Sequence, residues 1–292
     1  MTTALHLQNS TPQVGLIGLG AMGNGMAQSL RRANYSPHVF DIRSEVSAAF
    51  AKEGGTACNS LAELGNSCDV IVSVVVNAAQ TESVLFGADG CAATMKPGSV
   101  FVMCSTVDPN WSVALEAKLE AMGILYIDAP ISGGAAKAAS GQMTMMTAGK
   151  PEAYAIAEPM LKAMAAKVYK LGDSAGAGSK VKIINQLLAG VHIAAAAEAM
   201  ALGLREGVNP DALYEVITNS AGNSWMFENR MAHVLAADYT PLSAVDIFVK
   251  DLGIVLVYNN YIENHAPLMR QKSFAKWGDK FIAFRSVMQV VN

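Results

Sequence analysis

Lys182, Asn185 and Gln186 stand at i, i+3 and i+4 in the run Gly178-Ser179-Lys180-Val181-Lys182-Ile183-Ile184-Asn185-Gln186-Leu187-Leu188. On a helix they share one face. Valine, isoleucine and leucine fill much of the remainder, which predicts a helix buried nearly all round. A lysine and two amides there need polar partners, because unpartnered burial costs on the order of several kcal/mol. Two arrangements meet that need. Either Lys182 lies in the first turn and extends its stem to water, or a cleft holding a polar ligand supplies the partner. In the second case burial lowers the lysine pKa towards neutrality. The neutral amine then takes a proton from a hydroxyl, and the ammonium returns it. That is the proton half of an alcohol oxidation; the other half needs a hydride acceptor.

A place for one lies near the start of the chain, where an apolar strand, a glycine-rich turn and a helix follow one another over Val14 to Ala27. Gly18, Gly20 and Gly23 fit the G-x-G-x-x-G spacing. The first glycine makes a tight turn, the second lets backbone approach phosphate, and the third lets helix pack closely on strand. Ala21 and Met22 complete the turn, and the following helix aims free N–H groups and its positive dipole end at an anion. Glycine-rich turns without ligands also exist, so context matters. A second strand, Pro37-His38-Val39-Phe40-Asp41, ends in an acid 18 residues after Gly23, where a carboxylate accepts hydrogen bonds from an adenosine ribose. A carboxylate there repels the extra phosphate of NADP, so NAD is the expected cofactor. Arg43, two residues on, is either a phosphate partner or a solvated arginine.

The elements that must position these residues follow from patterning. Strand-like runs at 13–18, 37–41, 69–76, 99–104 and 124–128 alternate with helical segments, which predicts a parallel sheet covered by helices. Asp69-Val70-Ile71-Val72-Ser73-Val74-Val75-Val76 has the composition of a central strand buried on both faces. Further strands are expected at 142–148 and 167–171, after a loop at 129–141, with helices over 108–122 and 151–164. From about Ser179 alternation gives way to long alanine- and leucine-rich stretches. The fold class is therefore α/β: a Rossmann-type, doubly wound N-terminal domain over 13–175, a glycine-rich hinge at 172–178, and an all-helical domain over 179–292.

Composition narrows the function classes. The 292 residues suffice for two domains, and 52% are hydrophobic with a net charge of −3, which leaves no basic field for nucleic acid. Cys58, Cys68, Cys91 and Cys104 form no C-x-x-C pair and the histidines no H-x-x-x-H, so no metal site is readable and free buried thiols are expected. Met1 to Pro12 lacks the pattern of a signal peptide, and the apolar run near 187–204 is broken by His192 and Glu198. A cytoplasmic protein with no membrane partner is the expectation.

Three motifs in order carry a resemblance to the β-hydroxyacid dehydrogenase family, to which 3-hydroxyisobutyrate dehydrogenase belongs. Gly18-Leu19-Gly20-Ala21-Met22-Gly23 resembles its cofactor signature, Asp128-Ala129-Pro130-Ile131-Ser132-Gly133-Gly134 its substrate-binding loop, and Gly178 to Gln186 its catalytic helix, with Gln186 in place of the usual second asparagine. The resemblance spans about residues 13 to 256. It implies that Lys182 is the catalytic lysine, that Asn185 holds the substrate against it, and that Ser132, Gly133 and Gly134 take the substrate carboxylate. Such a loop suits glycine, because exposed N–H groups cup an anion without intervening side chains. It further implies that Val75, Val76, Asn77 and Thr106 border the cofactor, that Lys250 in Phe248-Val249-Lys250-Asp251-Leu252 reaches towards it, and that Ala221 to Arg230 borders the substrate cavity.

Within the family the wording is similar to the branch that oxidises L-threonate at C2 to 2-oxo-tetronate. Gln186 and Asn223 suit a polyhydroxy acid, since a site built to pair with hydroxyls rejects analogues lacking them. Other small hydroxyacids, 3-hydroxyisobutyrate or glycerate among them, are the alternative substrates. An imine reductase on the same scaffold would leave Lys182 and the carboxylate loop without a task. The resemblance also implies a homodimer or homotetramer built through the helical domain. One departure stands out. After Leu256 the family's Pro-Leu-Pro-Leu type turn and late Gly/Asp/Ser motif are absent, and the chain instead runs through Val257 to His265 and ends with Phe281 to Asn292. The family's terminal helices pack on its catalytic domain, so a cofactor-binding but catalytically impaired relative is the competing expectation.

Overall fold

Branched apolar residues at successive positions of a short run satisfy both faces of a sheet at once, and the first half of the chain is built on that arrangement. The computed structural model describes residues 11–238, 240 and 245–265. Its first unit, up to Lys182, opens with β1 (Val14–Ile17), α1 (Gly23–Arg32), β2 (His38–Phe40), α2 (Ser44–Lys52), β3 (Thr56–Ala57), α3 (Leu61–Ser67), β4 (Val70–Ser73), α4 (Ala78–Phe86), β5 (Val100–Met103), α5 (Pro109–Glu120) and β6 (Leu125–Asp128). These strands pair in parallel in the order β3-β2-β1-β4-β5-β6. This is the doubly wound sheet that the alternation predicts, with its order reversing between β1 and β4. Then follow β7 (Ile131–Ser132), α6 (Gly134–Ser140), β8 (Met143–Gly149), α7 (Pro151–Met164) and β9 (Ala165–Lys170). β8 runs antiparallel to β6 and β7 and parallel to β9. The stretch 129–141, expected as a loop, thus contains β7 and α6. Two and seven residues are too few for periodicity to announce.

The two-residue period of the strands sorts their side chains into two cores. Leu16, Val70, Val72, Val100, Val102 and Ile127 join one cluster with Met26 and Leu30 of α1 and Leu161 of α7. Ile17, Ile71, Phe101, Met103 and Tyr126 join the other with Leu64 of α3, Leu85 of α4 and Leu115 of α5. All four predicted cysteines are free and buried, and burial first of all pushes their thiols upward, Cys58 to about 11 and Cys68 to about 12.

The second unit begins at Ile183, within α8 (Ala177–Arg205), and continues with α9 (Pro210–Thr218), α10 (Trp225–Leu235) and α11 (Val245–His265). Its helices start where Asn209 and Ser224 accept from the amides of Ala212 and Phe227, caps that satisfy otherwise orphan donors. Ala196 and Met200 of α8 pack with Phe227 and Met231 of α10, and Tyr214 of α9 stacks on Phe227 with centroids 5.9 Å apart. Small residues let helices close in: a Cβ on Gly203 would meet Leu213 at 2.3 Å, and one on Gly190 would meet Leu252 at 2.8 Å. α11 passes Leu256 and remains helical to His265; the unusual stretch Phe281 to Asn292 lies outside the described residues.

Two buried carboxylates govern the entry to α8. Glu116 accepts from the Ala175 amide, 3.1 Å from each carboxylate oxygen. Asp128, wholly buried at the end of β6, accepts from the amides of Gly176 and Ser179 at 2.9 Å and from Ser179 Oγ at 2.7 Å. The glycine-rich stretch read as a hinge is therefore held by side chains at Ala175 and Gly176, and α8 starts inside it at Ala177. Asp128→Ala would strand three buried donors at about 1–3 kcal/mol each, and a loss of at least about 3 kcal/mol is expected in urea unfolding. Burial outweighs the hydrogen bonds from Ser179 and Gly176 and holds this carboxyl above its ordinary value of 3.8. The folded chain thus keeps the proton more tightly than the unfolded chain. The stability that Asp128 contributes is full below about pH 3.8 and shrinks as pH rises through its higher folded value. The Asp128→Ala penalty should accordingly be larger at pH 4 than at pH 7.

Candidate active site

The three glycines of the first motif have three separate reasons to be glycine. Gly18 sits at φ +90°, with Val74 O 2.9 Å from where its Cβ would lie, a left-handed conformation that other residues avoid. On Gly23 a Cβ would fall 1.8 Å from Gly18 O, whereas on Gly20 it would meet nothing within 4 Å. Gly23 thus permits α1 to close on β1, while Gly20 leaves its backbone open to a ligand. Met22 at the N-cap of α1 makes no side-chain cap and the first turn holds no acid. Asn24 N donates to Gly20 O at 3.1 Å, and with neither a side-chain cap nor an acid at this helix end the cradle fits a dinucleotide pyrophosphate.

Asp41 directly follows β2, and its carboxylate does more than wait for a ribose. Oδ2 accepts from Leu19 N at 2.7 Å, inside the glycine turn, and Oδ1 accepts from Arg43 N at 3.0 Å and Arg43 Nε at 3.2 Å. Burial alone would raise the Asp41 pKa, but the bonds from Arg43 and Leu19 outweigh it, and the carboxyl is held below its ordinary value. Arg43 keeps a side chain 56% exposed. The acid therefore ties strand β2 to the turn while leaving one lone pair for a further donor.

Val75, Val76 and Asn77 follow β4, and Thr106 follows β5, so all lie at carboxyl ends of parallel strands, where open sheets take ligands. Asn77 Oδ1 accepts from Gln80 N at 2.8 Å and caps α4. Ser105 Oγ donates to Val75 O at 2.7 Å and ties the two strand ends together. Beyond β6, Gly133 at φ +140° and Gly134 at φ +74° carry the chain from Ser132 into α6. Two successive positive φ values are open to glycine at little cost, which accounts for the Gly-Gly pair.

Lys182 is 7% exposed, as is Gln186, and the helix predicted for them is α8, although it is not buried all round as expected, since Val181, Ile184 and Leu188 on it are exposed. Along it Asn185 Nδ2 donates to Gln186 Oε1 at 3.1 Å. Gln186 Nε2 donates in turn to Asp251 Oδ2, and Lys250 Nζ lies 2.9 Å from Asp251 Oδ1. Gln186 and Lys250, 64 residues apart in sequence, thus share one buried carboxylate, 1% exposed. Sequence reading overlooked Asp251. Its signal was an acid inside an apolar helical run, which demands a buried partner. Asn223 is not gathered with this group. Its Nδ2 donates to Thr218 O at 3.0 Å and Glu228 Oε1 at 2.7 Å, and it borders a cleft with His192, Ser224 and Phe227. Asp128, at the head of the Asp128 to Gly134 motif, has no local sequence signal for the bonds it accepts from Gly176 and Ser179.

Comparison with known proteins extends these observations. Residues 13–172 match the family model described as the NAD binding domain of 6-phosphogluconate dehydrogenase, and residues 176–273 the model described as NAD-binding of NADP-dependent 3-hydroxyisobutyrate dehydrogenase. The chain is 67% identical over 243 residues to L-threonate dehydrogenase of Cupriavidus necator, covering 83% of this chain and 82% of the relative. L-threonate dehydrogenase of Escherichia coli K12 is 49% identical, with 83% and 80% covered. A crystal structure from Salmonella typhimurium described as 3-hydroxyisobutyrate dehydrogenase superposes with a TM-score of 0.79 at 50% identity, covering 86% of this chain and 87% of that one. With a glycine turn and an acid-ended β2 in the first unit and these matches along both, the chain belongs to the β-hydroxyacid dehydrogenase family, the family of 3-hydroxyisobutyrate dehydrogenase, and its cofactor is a nicotinamide dinucleotide.

Proposed function

We propose that this chain oxidises L-threonate at its C2 hydroxyl to 2-oxo-tetronate, with NAD as the hydride acceptor and Lys182 as the general base. The observation that carries the reading is a lysine only 7% exposed on a helix whose N-terminus is anchored by a buried carboxylate. The names of the relatives at 67% and 49% identity support the substrate. The bound dinucleotide supplies the acceptor for the hydride that leaves C2. Neutral Lys182 takes the hydroxyl proton as the carbonyl forms, and in the reverse direction its ammonium protonates the forming alkoxide.

The remaining roles are part of the same proposal. Gly18, Gly20, Ala21, Met22 and Gly23 hold the pyrophosphate, and Asp41 accepts from ribose hydroxyls. Val75, Val76 and Asn77 border the cofactor, Thr106 lies near the nicotinamide, and Lys250 keeps the cofactor role that the family pattern gives it. Ser132, Gly133 and Gly134 present amides to the substrate carboxylate. Asn185 bonds the substrate one turn from Lys182, and Gln186, which also engages Asn185 and Asp251, is assigned to the substrate beside it. Asn223 is assigned to the polyhydroxy end of the acid. The proposal places the protein in the cytoplasm, as a step in sugar-acid breakdown, with no nucleic-acid or membrane partner.

Among the described residues α8 is long and apolar enough to cross a membrane. Four of its exposed apolar residues, Val181, Ile184, Leu188 and Val191, nevertheless form a stripe at spacings that share one helical face. The proposal assigns this face to a homodimer or homotetramer. An Ile184→Glu/Leu188→Glu double variant is expected to sediment as a smaller species than the parent chain.

The function is tested by NAD reduction with L-threonate, D-erythronate, 3-hydroxyisobutyrate and glycerate. L-threonate should give the highest kcat/KM, and Lys182→Ala should lower kcat by about 10²–10⁴-fold while still binding NADH. NADH binding without turnover on any acid would instead indicate the impaired relative. Asp41→Ser removes the charge that repels a 2′-phosphate, and the NADP-to-NAD ratio of kcat/KM should rise by about tenfold or more.

A further inference from the structure

Gly25 lies on α1 two residues past the glycine motif, and the motif does not explain it. A Cβ on Gly25 would stand 2.5 Å from Ala139 N, 2.7 Å from the Ala138 carbonyl carbon and 3.0 Å from Ala138 Cβ. Two of these are backbone atoms of α6, so no side-chain rotation relieves the clash. One turn further on, Ser29 Oγ, in a residue 2% exposed, lies 3.0 Å from Gly25 O and 3.1 Å from Ala138 O. Arg32 Nη2 donates to Ser29 Oγ and to Ala139 O, each at 2.6 Å. Gly25, Ser29 and Arg32 are spaced i, i+4 and i+7 and form one face of α1, and all three grip the C-terminal half of α6.

The other end of α6 is the Gly133–Gly134 turn that follows Ser132. Seven residues span only about 10 Å of helix, so a shift at Ala138 is carried to Gly134 with little room to dissipate. We infer that Gly25, Ser29 and Arg32 are positioning residues that seat the Ser132–Gly134 loop, and that this seat on the cofactor helix sets the affinity for the hydroxyacid. The inference rests on the reading of that loop as the carboxylate site. One helix then serves two ligands: its N-terminus faces the dinucleotide, and its flank holds the acid-binding loop by direct backbone contact.

The experiment compares Gly25→Ala, Ser29→Ala, Arg32→Ala and Arg32→Lys with Ser132→Ala, using the hydroxyacid that gives the greatest turnover. KM for the acid, kcat and the Kd of NADH are read for each. A Cβ at 2.5 Å must move α6 by about 1 Å to reach ordinary contact, and displacements of that size cost up to about 100-fold. Gly25→Ala should raise the acid KM at least about tenfold with the NADH Kd changed less than twofold. Arg32 is exposed, so Arg32→Ala folds whatever Gly25→Ala does. It should raise KM by a few fold, and Arg32→Lys should recover part of that loss. A parallel rise in the NADH Kd would overturn the seat, because the residues would then act on the cofactor helix itself. If Ser132→Ala raises the acid KM while the α1 variants leave it unchanged, the seat is wrong and the loop reading stands. If neither set moves it, the loop reading fails first.

Discussion

Close backbone approach around α1 is the constraint on which the first unit depends. At Gly23 the helix comes within a distance of Gly18 O that no Cβ permits, and this lets its N-terminus sit over the carboxyl ends of β1 and β4, where the strand order reverses. Asp41 adds to the same arrangement by accepting from Leu19 N, so the acid at the end of β2 and the turn after β1 hold each other in place. Gly18 and Gly23 thus serve the close approach of backbone, and Gly20, open on its Cβ side, does not.

The same economy of volume recurs on the flank of α1. Gly25 admits the backbone of α6, and Ser29 and Arg32 then bond its last carbonyls. A β7–α6 segment too short to be stable by itself is held by a neighbour rather than by its own propensity. The Gly133–Gly134 turn within it, with two positive φ values, joins β7, paired with β8, to α6, held by α1.

Buried carboxylates play the corresponding part for α8 and for the second unit. Asp128 and Glu116 collect the orphan amides ahead of Lys182, and Asp251 collects Gln186 and Lys250. A buried acid is tolerated where donors meet it, and each of these acids has at least one, a single amide for Glu116 and three donors for Asp128. Removing any one would leave donors behind in low dielectric, where the cost is largest. The lysine on α8 thus stands on a helix whose start is pinned by charge-assisted bonds, while the amides one turn further on are aligned through a shared acid in α11.

Periodicity and spacing made much of this legible. The unbroken apolar run Val70-Ile71-Val72 announced a strand buried on both faces, the glycine spacing announced the turn and its helix, and Lys182, Asn185 and Gln186 announced a polar face on an apolar helix. These are local properties, because they depend on the pitch of a helix, the pleat of a strand and the steric freedom of glycine. What a residue meets across the fold has no such signature. The sequence alone did not indicate that Asp251 would bond Gln186, that Asp128 would receive Ser179, that Gly25 would face Ala138, or that β7 and α6 would form between 129 and 141. Each depends on contacts between residues distant in the chain, and those contacts come into being only when sheet and helices pack.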